Sequence, residues 1–185
     1  MTSSMRNICL LIAAGVISSS AFAAPTVTFQ GEVTDQTCSV TINGQSNSIV
    51  MLPTVAMTDF GATLANGQVA GLTPFTVSLT GCTASGSPQN ISTKFLGYNV
   101  DATSGVMGNR AATNAASGFG IQLTDSGTGG SPVMLNGPTN VAGLVLPAGA
   151  TSTSYDFGAQ YYVIDSSTAA PGAVTAVAEY TVSYF

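Results

Sequence analysis

Side chains that ordinarily carry chemistry are scarce in this chain. It holds no histidine and no tryptophan, three cysteines, three Lys or Arg and eight Asp or Glu in 185 residues. Without histidine, neither a Ser-His-Asp nor a Cys-His arrangement can be assembled, and the usual nitrogen ligand for zinc is missing. The acids stand singly on separate segments: Glu32, Asp35, Asp59, Asp101, Asp125, Asp156, Asp165 and Glu179. Folding can bring a pair such as Asp156 and Asp165 together, but with nothing else converging on them, solvated surface carboxylates are the better reading. Gly127, Gly129 and Gly130 lie between strands and open no helix, so they make a turn rather than a phosphate cradle. No catalytic residue, metal site or cofactor is expected, and the chain is not read as an enzyme.

What chemistry remains is a pair of thiols. Residues 1–23 divide into a short start with Arg6, an apolar run from Ile8 to Ile17 and a small-residue end, Ala21-Phe22-Ala23, the pattern of a secretory signal peptide. Cys9 leaves with that segment. Cys38 and Cys82 remain, an even number in an exported protein, where oxidation is the default, so one disulfide closing a long loop is expected. The apolar run is too short to span a bilayer and nothing comparable follows, so no membrane insertion is expected after cleavage. The 162 residues left when 23 are removed from 185 fit one domain. They carry Lys94 and Arg110 against eight acids, a net of −6, which makes nucleic acid an unsuitable partner. A surface of Thr, Ser, Gly, Asn and Ala suits a domain that packs against copies of itself.

The elements that must position these residues are strands. Almost every apolar segment alternates with period two, and the breaks are Gly, Pro and Asn clusters, among them Asn43-Gly44, Asn66-Gly67 and Asn136-Gly137. Strands are expected over 26–34, 38–42, 48–52, 74–80, 91–98, 119–125, 132–135, 153–165 and 174–185. So many short strands predict an all-β, two-sheet sandwich. Val174, Ala176, Ala178, Tyr180, Val182 and Tyr184 share one face of the last strand; Tyr155, Phe157, Ala159, Tyr161 and Val163 share one face of the strand before it. Cys82 breaks parity with Phe75, Val77 and Leu79, and a bulge at Gly81 is one way to restore it.

Behind the expected cleavage point, Val27, Phe29, Gly31 and Val33 alternate with Thr26, Thr28, Gln30, Glu32 and Thr34, an amphipathic strand at the very start of the mature chain. Four features in order are an alternating start with glycine inside it, Cys38 in Gly-Glu-Val-Thr-Asp-Gln-Thr-Cys-Ser-Val, Cys82 in Phe-Thr-Val-Ser-Leu-Thr-Gly-Cys, and a closing aromatic strand with penultimate Tyr184. Together they resemble the chaperone–usher fimbrial subunits, the pilins of type 1 and P pili.

The resemblance implies an incomplete immunoglobulin-like sandwich that lacks its last strand, made of a donor-strand extension (24–34) and a pilin domain (35–185). It implies a groove lined by Tyr180, Val182 and Tyr184, first filled by a periplasmic chaperone that anchors the carboxylate of Phe185. At an outer-membrane usher, the Val27, Phe29, Gly31 and Val33 strand of another copy or a related pilin then replaces the chaperone's strand, by the β-strand addition for which chaperone–pilin donor-strand complementation is a standing example. Export to the periplasm and display in a surface fimbrium, serving adhesion or biofilm, follow as expectations. The alternative is a monomeric secreted Ig-like binding module whose N-terminal strand belongs to its own sheet. A tip adhesin is disfavoured, since 162 residues leave no space for a receptor-binding domain.

Overall fold

The computed structural model describes residues 38–184. The expected signal peptide (1–23), the 24–34 extension with Val27, Phe29, Gly31 and Val33, and Phe185 lie outside the described residues.

Nine strands and one turn of 3-10 helix follow one another: β1 (Ser39–Ile42), the 3-10 turn (Met57–Phe60), β2 (Val69–Thr80), β3 (Gln89–Gly97), β4 (Met107–Gly108), β5 (Phe119–Thr124), β6 (Pro132–Val133), β7 (Thr139–Leu146), β8 (Ser152–Val163) and β9 (Ala178–Tyr184). They form two antiparallel sheets. The larger is ordered β1-β2-β8-β5-β4 with β6 paired to β5, and the smaller β7-β3-β9. The all-β sandwich expected from period-two alternation is therefore present.

The core lies between the sheets. Phe75, Val77 and Leu79 of β2 and Phe157 of β8 face Ile91 and Phe95 of β3 and Leu144 and Leu146 of β7, all buried. Three rings meet at the centre: Phe95 stands edge-on to Phe157 and Phe75, with centroids 5.3 and 6.2 Å apart, near the favoured quadrupolar geometry. A second cluster of Phe60, Ala116, Phe119 and Val163 closes one end of the sandwich.

Two turn expectations have simple local causes. Ile42 and Gln45 exchange both backbone hydrogen bonds (2.9 and 3.0 Å) around Asn43 and Gly44, whose φ of 49° and 78° make the two-residue hairpin that this dipeptide favours. Gly81 takes φ 67°, a left-handed turn just past β2, and Cys82 beyond it is buried. That turn corrects the parity conflict. Cys82 is bonded to Cys38, so the disulfide ties the approach to β1 to the end of β2.

Other strand expectations need correction. The 48–52 segment is extended but enters no ladder among the described residues. The last ladder begins at Ala178 rather than 174. β7 went unread because a register shift opposite Ile91 and Thr93 breaks its period: Val141, Leu144 and Leu146 are buried, a spacing of three and then two. Gly143 sits at that irregularity with φ 142° and its α-carbon against the Tyr155 ring, where a side chain has no space. β2 begins at Val69, earlier than expected, because a shift between Ala70 and Thr73 hides its first residues from the alternation.

The disulfide closes a loop of 44 residues. Replacing both cysteines, Cys38→Ala with Cys82→Ala, is expected to lower stability by about 3 to 4 kcal/mol on the chain-entropy account, read as a lower urea midpoint than that of the oxidised chain.

Candidate functional site: an open groove beside the last strand

The chain ends its smaller sheet on β9, which pairs with β3 on one side and with no other described strand. Val174, Ala176, Ala178, Tyr180, Val182 and Tyr184 are each only half-buried, while Thr175, Val177, Glu179 and Thr181 are exposed. The alternation read from sequence thus holds along this stretch, with Ser183 as an exception: it is buried beside Ser92 across the ladder. An inward face that stays half-buried means the sandwich is not closed over it.

The opposite wall is the extended segment ahead of the 3-10 turn. Ser48, Val50, Leu52 and Val55 are half-buried toward the interior, whereas Ile49 and Met51 are 80% and 78% exposed. This is strand alternation without a strand partner. The two walls run in opposite directions. Tyr180 donates its hydroxyl to Ser46 O at 3.1 Å at one end, and Val55, Met57 and Val174 pack on the Phe60–Phe119 cluster at the other.

Between the walls lies a groove of about 900 Å³ whose floor is the core itself, including Phe75, Phe95, Ile121 and Leu123. Among the described residues, no Asp, Glu, Lys or Arg lines it. Burial in this floor pushes the Tyr161 hydroxyl above its ordinary pKa. Among the described residues a charge placed here has no partner, and neither wall has a ladder on its groove side for an apolar strand to displace.

The expected site residues are thus distributed unevenly. Tyr180 lines the groove. Val182 and Tyr184 continue the same face against the core, paired with Thr93 and Ile91, but are not part of the groove lining. Phe185 lies outside the described residues. Sequence reasoning missed the second wall, which it took for an ordinary strand. The available signal was that 48–52 is apolar on both faces, with Ile49 and Met51 outward.

The turn that launches the β9 wall is held by Asp165. Its carboxylate accepts from the Ser167 hydroxyl (2.6 Å) and N–H (2.9 Å) and from the Thr168 hydroxyl (3.0 Å), and these bonds, the Ser167 hydroxyl first, hold its pKa below the ordinary carboxylate value. Among the described residues no cluster of three or more His, Cys, Asp or Glu is placed to hold a metal, and no helix is long and apolar enough to cross a membrane.

Comparison with known proteins agrees with this geometry. The family model described as "Fimbrial protein" matches residues 27–185. The chain belongs to the fimbrial protein family. Among its relatives, this fimbrial subunit is 36% identical over 180 residues to the major fimbrial subunit SMF-1 of Stenotrophomonas maltophilia, spanning 94% of this chain and 99% of that protein. Its fold resembles that of the P pilus rod subunit PapA, with a TM-score of 0.57 at 16% identity over 80% of this chain and 99% of the other. A subunit from a solved chaperone–usher pilus gives 0.56 at 19% identity over 93% of this chain and all of the other. A fimbrial subunit with the Ig-like fold of the chaperone–usher pilins is a structural protein, not an enzyme, and assembles with other pilins at the cell surface.

Two outcomes are expected from the site. A dye that fluoresces in apolar surroundings binds the groove-empty fimbrial subunit, and Val174→Asp cuts that signal several-fold, measured by titration at constant protein. Because Asp165 has a depressed folded pKa, its contribution is complete above the unfolded carboxylate value of about 3.9 and is lost as pH falls through the lower folded value. Carboxyl-carbon NMR titration checks this by finding its midpoint below the unfolded carboxylate value.

Proposed function

We propose that this fimbrial subunit polymerises by donor-strand exchange, each copy inserting residues 24–34 into the groove of a neighbouring copy or related pilin. The observation that supports this most is the pair of facing, unladdered edges, 48–56 and the outer side of 174–182, over an apolar floor without charge. A single amphipathic strand satisfies both edges and covers the floor together. The chain carries such a strand ahead of its domain (35–185), with Val27, Phe29 and Val33 as apolar knobs and Gly31 at a shallow position.

Before assembly the same groove calls for a temporary occupant. Export behind the 1–23 signal peptide brings the subunit to a periplasmic chaperone, whose strand fills the groove beside Tyr180, Val182 and Tyr184 and anchors the terminal carboxylate of Phe185. An outer-membrane usher then exchanges that strand for the next subunit's extension. Burial of three apolar side chains is worth about 1.5 to 3 kcal/mol each, and the neighbour's core closes in the same step. Detachment then requires partial unfolding, which makes the fibre kinetically stable and fit for adhesion or biofilm.

Phe29→Arg places a charge where the groove offers none. Negative-stain microscopy of cells expressing the chain with its chaperone and usher is expected to show fibres for the wild type and none for the variant, while the variant's chaperone complex persists. A wild type that yields only a stable free monomer would sink this reading in favour of a self-contained binding module.

A further inference from the structure

The β9 wall extends toward Pro171 beyond the reach of its neighbour β3. Tyr98 N–H makes the last contact, to Val177 O at 3.0 Å, and Asn99, at φ 54°, turns the chain away. From there the wall is backed by the loop 109–117, and one side chain supplies much of that backing. Asn109 Oδ1 accepts from the N–H groups of Ala111 and Thr175, both at 2.9 Å. Its Nδ2 donates to Ala116 O at 2.9 Å and to Ala173 O at 2.7 Å. Both amide donors and both acceptor positions are in use, the full capacity of a carboxamide.

Backbone contacts from the same loop complete the pattern. Arg110 N–H bonds Thr175 O at 2.8 Å, Ala116 N–H bonds Ala173 O at 2.9 Å, and Ala173 N–H bonds Asn114 O at 2.7 Å. Ala173 and Thr175 therefore direct both their N–H and C=O groups away from the groove. In an extended chain successive residues point these groups to opposite edges, so Val174 and Ala176 present theirs toward the groove that they also line.

We propose that Asn109 is a positioning residue of the groove. Its carboxamide takes the place of a peptide unit in the ladder that β3 does not reach, and it holds 173–175 in strand conformation so that Val174 and Ala176 can bond the incoming 24–34 strand of a second copy. The assignment of that occupant rests on the donor-strand reading above. Asp at this position keeps an acceptor for Thr175 but loses both donations and sets a carboxylate against the Ala116 and Ala173 carbonyls. Ala loses all four bonds and leaves Thr175 N–H without the partner it has here.

The test uses the full chain copurified with its periplasmic chaperone, as wild type, Asn109→Asp and Asn109→Ala. Each complex is challenged with a synthetic peptide of residues 24–36, and peptide uptake and amide hydrogen exchange are followed by mass spectrometry. The expected result is a loss of peptide affinity of about fivefold or more in both variants, the factor carried by one hydrogen bond of ordinary net worth. Faster exchange should be confined to 171–177, with β2 and β8 protected as in the wild type. Wild-type affinity in the variants overturns the proposal, as does faster exchange spread evenly over β2 and β8, or failure of both variants to copurify, since each of these makes Asn109 incidental or a general folding residue. If the wild type itself takes up no peptide, the donor-strand reading fails; unchanged exchange at 171–177 in the variants then overturns the Asn109 contact as well, and locally faster exchange retains it.

Discussion

A sheet edge that borders the core leaves two requirements open at once: hydrogen bonds for its backbone and cover for its apolar side chains. In this fimbrial subunit both fall on the same stretch, 174–182. Its inward residues are half-buried, its outer edge has no described ladder, and the buried Phe75 and Phe95 lie at the floor of the groove beside it. The wall across the groove has the mirror-image need, since 48–52 alternates like a strand but joins no described ladder. Under the donor-strand proposal, one occupant meets both needs.

The rest of the fold keeps that opening in shape while it is empty. β2 and β8, twelve residues each, pair along most of their length and carry the central rings. The disulfide fixes the chain just ahead of β1 to the end of β2, so the segment leading to the 48–56 wall starts from a tethered point. On the other side, β3 backs the wall as far as Val177, and the 109–117 loop continues where β3 departs.

The low charge of the chain extends to the groove, where no charged side chain is found among the described lining residues. The two cations among the described residues, Lys94 and Arg110, do not line the groove. Arg110 stacks on the Tyr98 ring with its guanidinium carbon 5.9 Å from the centroid, beside the Tyr98–Glu179 hydrogen bond, and that bond raises the Tyr98 pKa.

Period-two alternation and turn chemistry are local properties, so the sequence alone determined the strand class, the Asn43-Gly44 hairpin, the inward faces of β8 and β9 and the pairing of Cys38 with Cys82. It also placed Tyr180 on the face that borders the groove. Features that depend on which residues oppose one another were decided only in three dimensions. The irregular register against β3 hid β7, because a bulge breaks the very period by which strands are recognised. The 48–52 stretch looked like any other strand, because alternation reports an apolar face and not whether a neighbour pairs with its backbone. Asn109 carried no local mark at all: a carboxamide acts as a stand-in peptide unit only once folding brings Ala116, Ala173 and Thr175 around it.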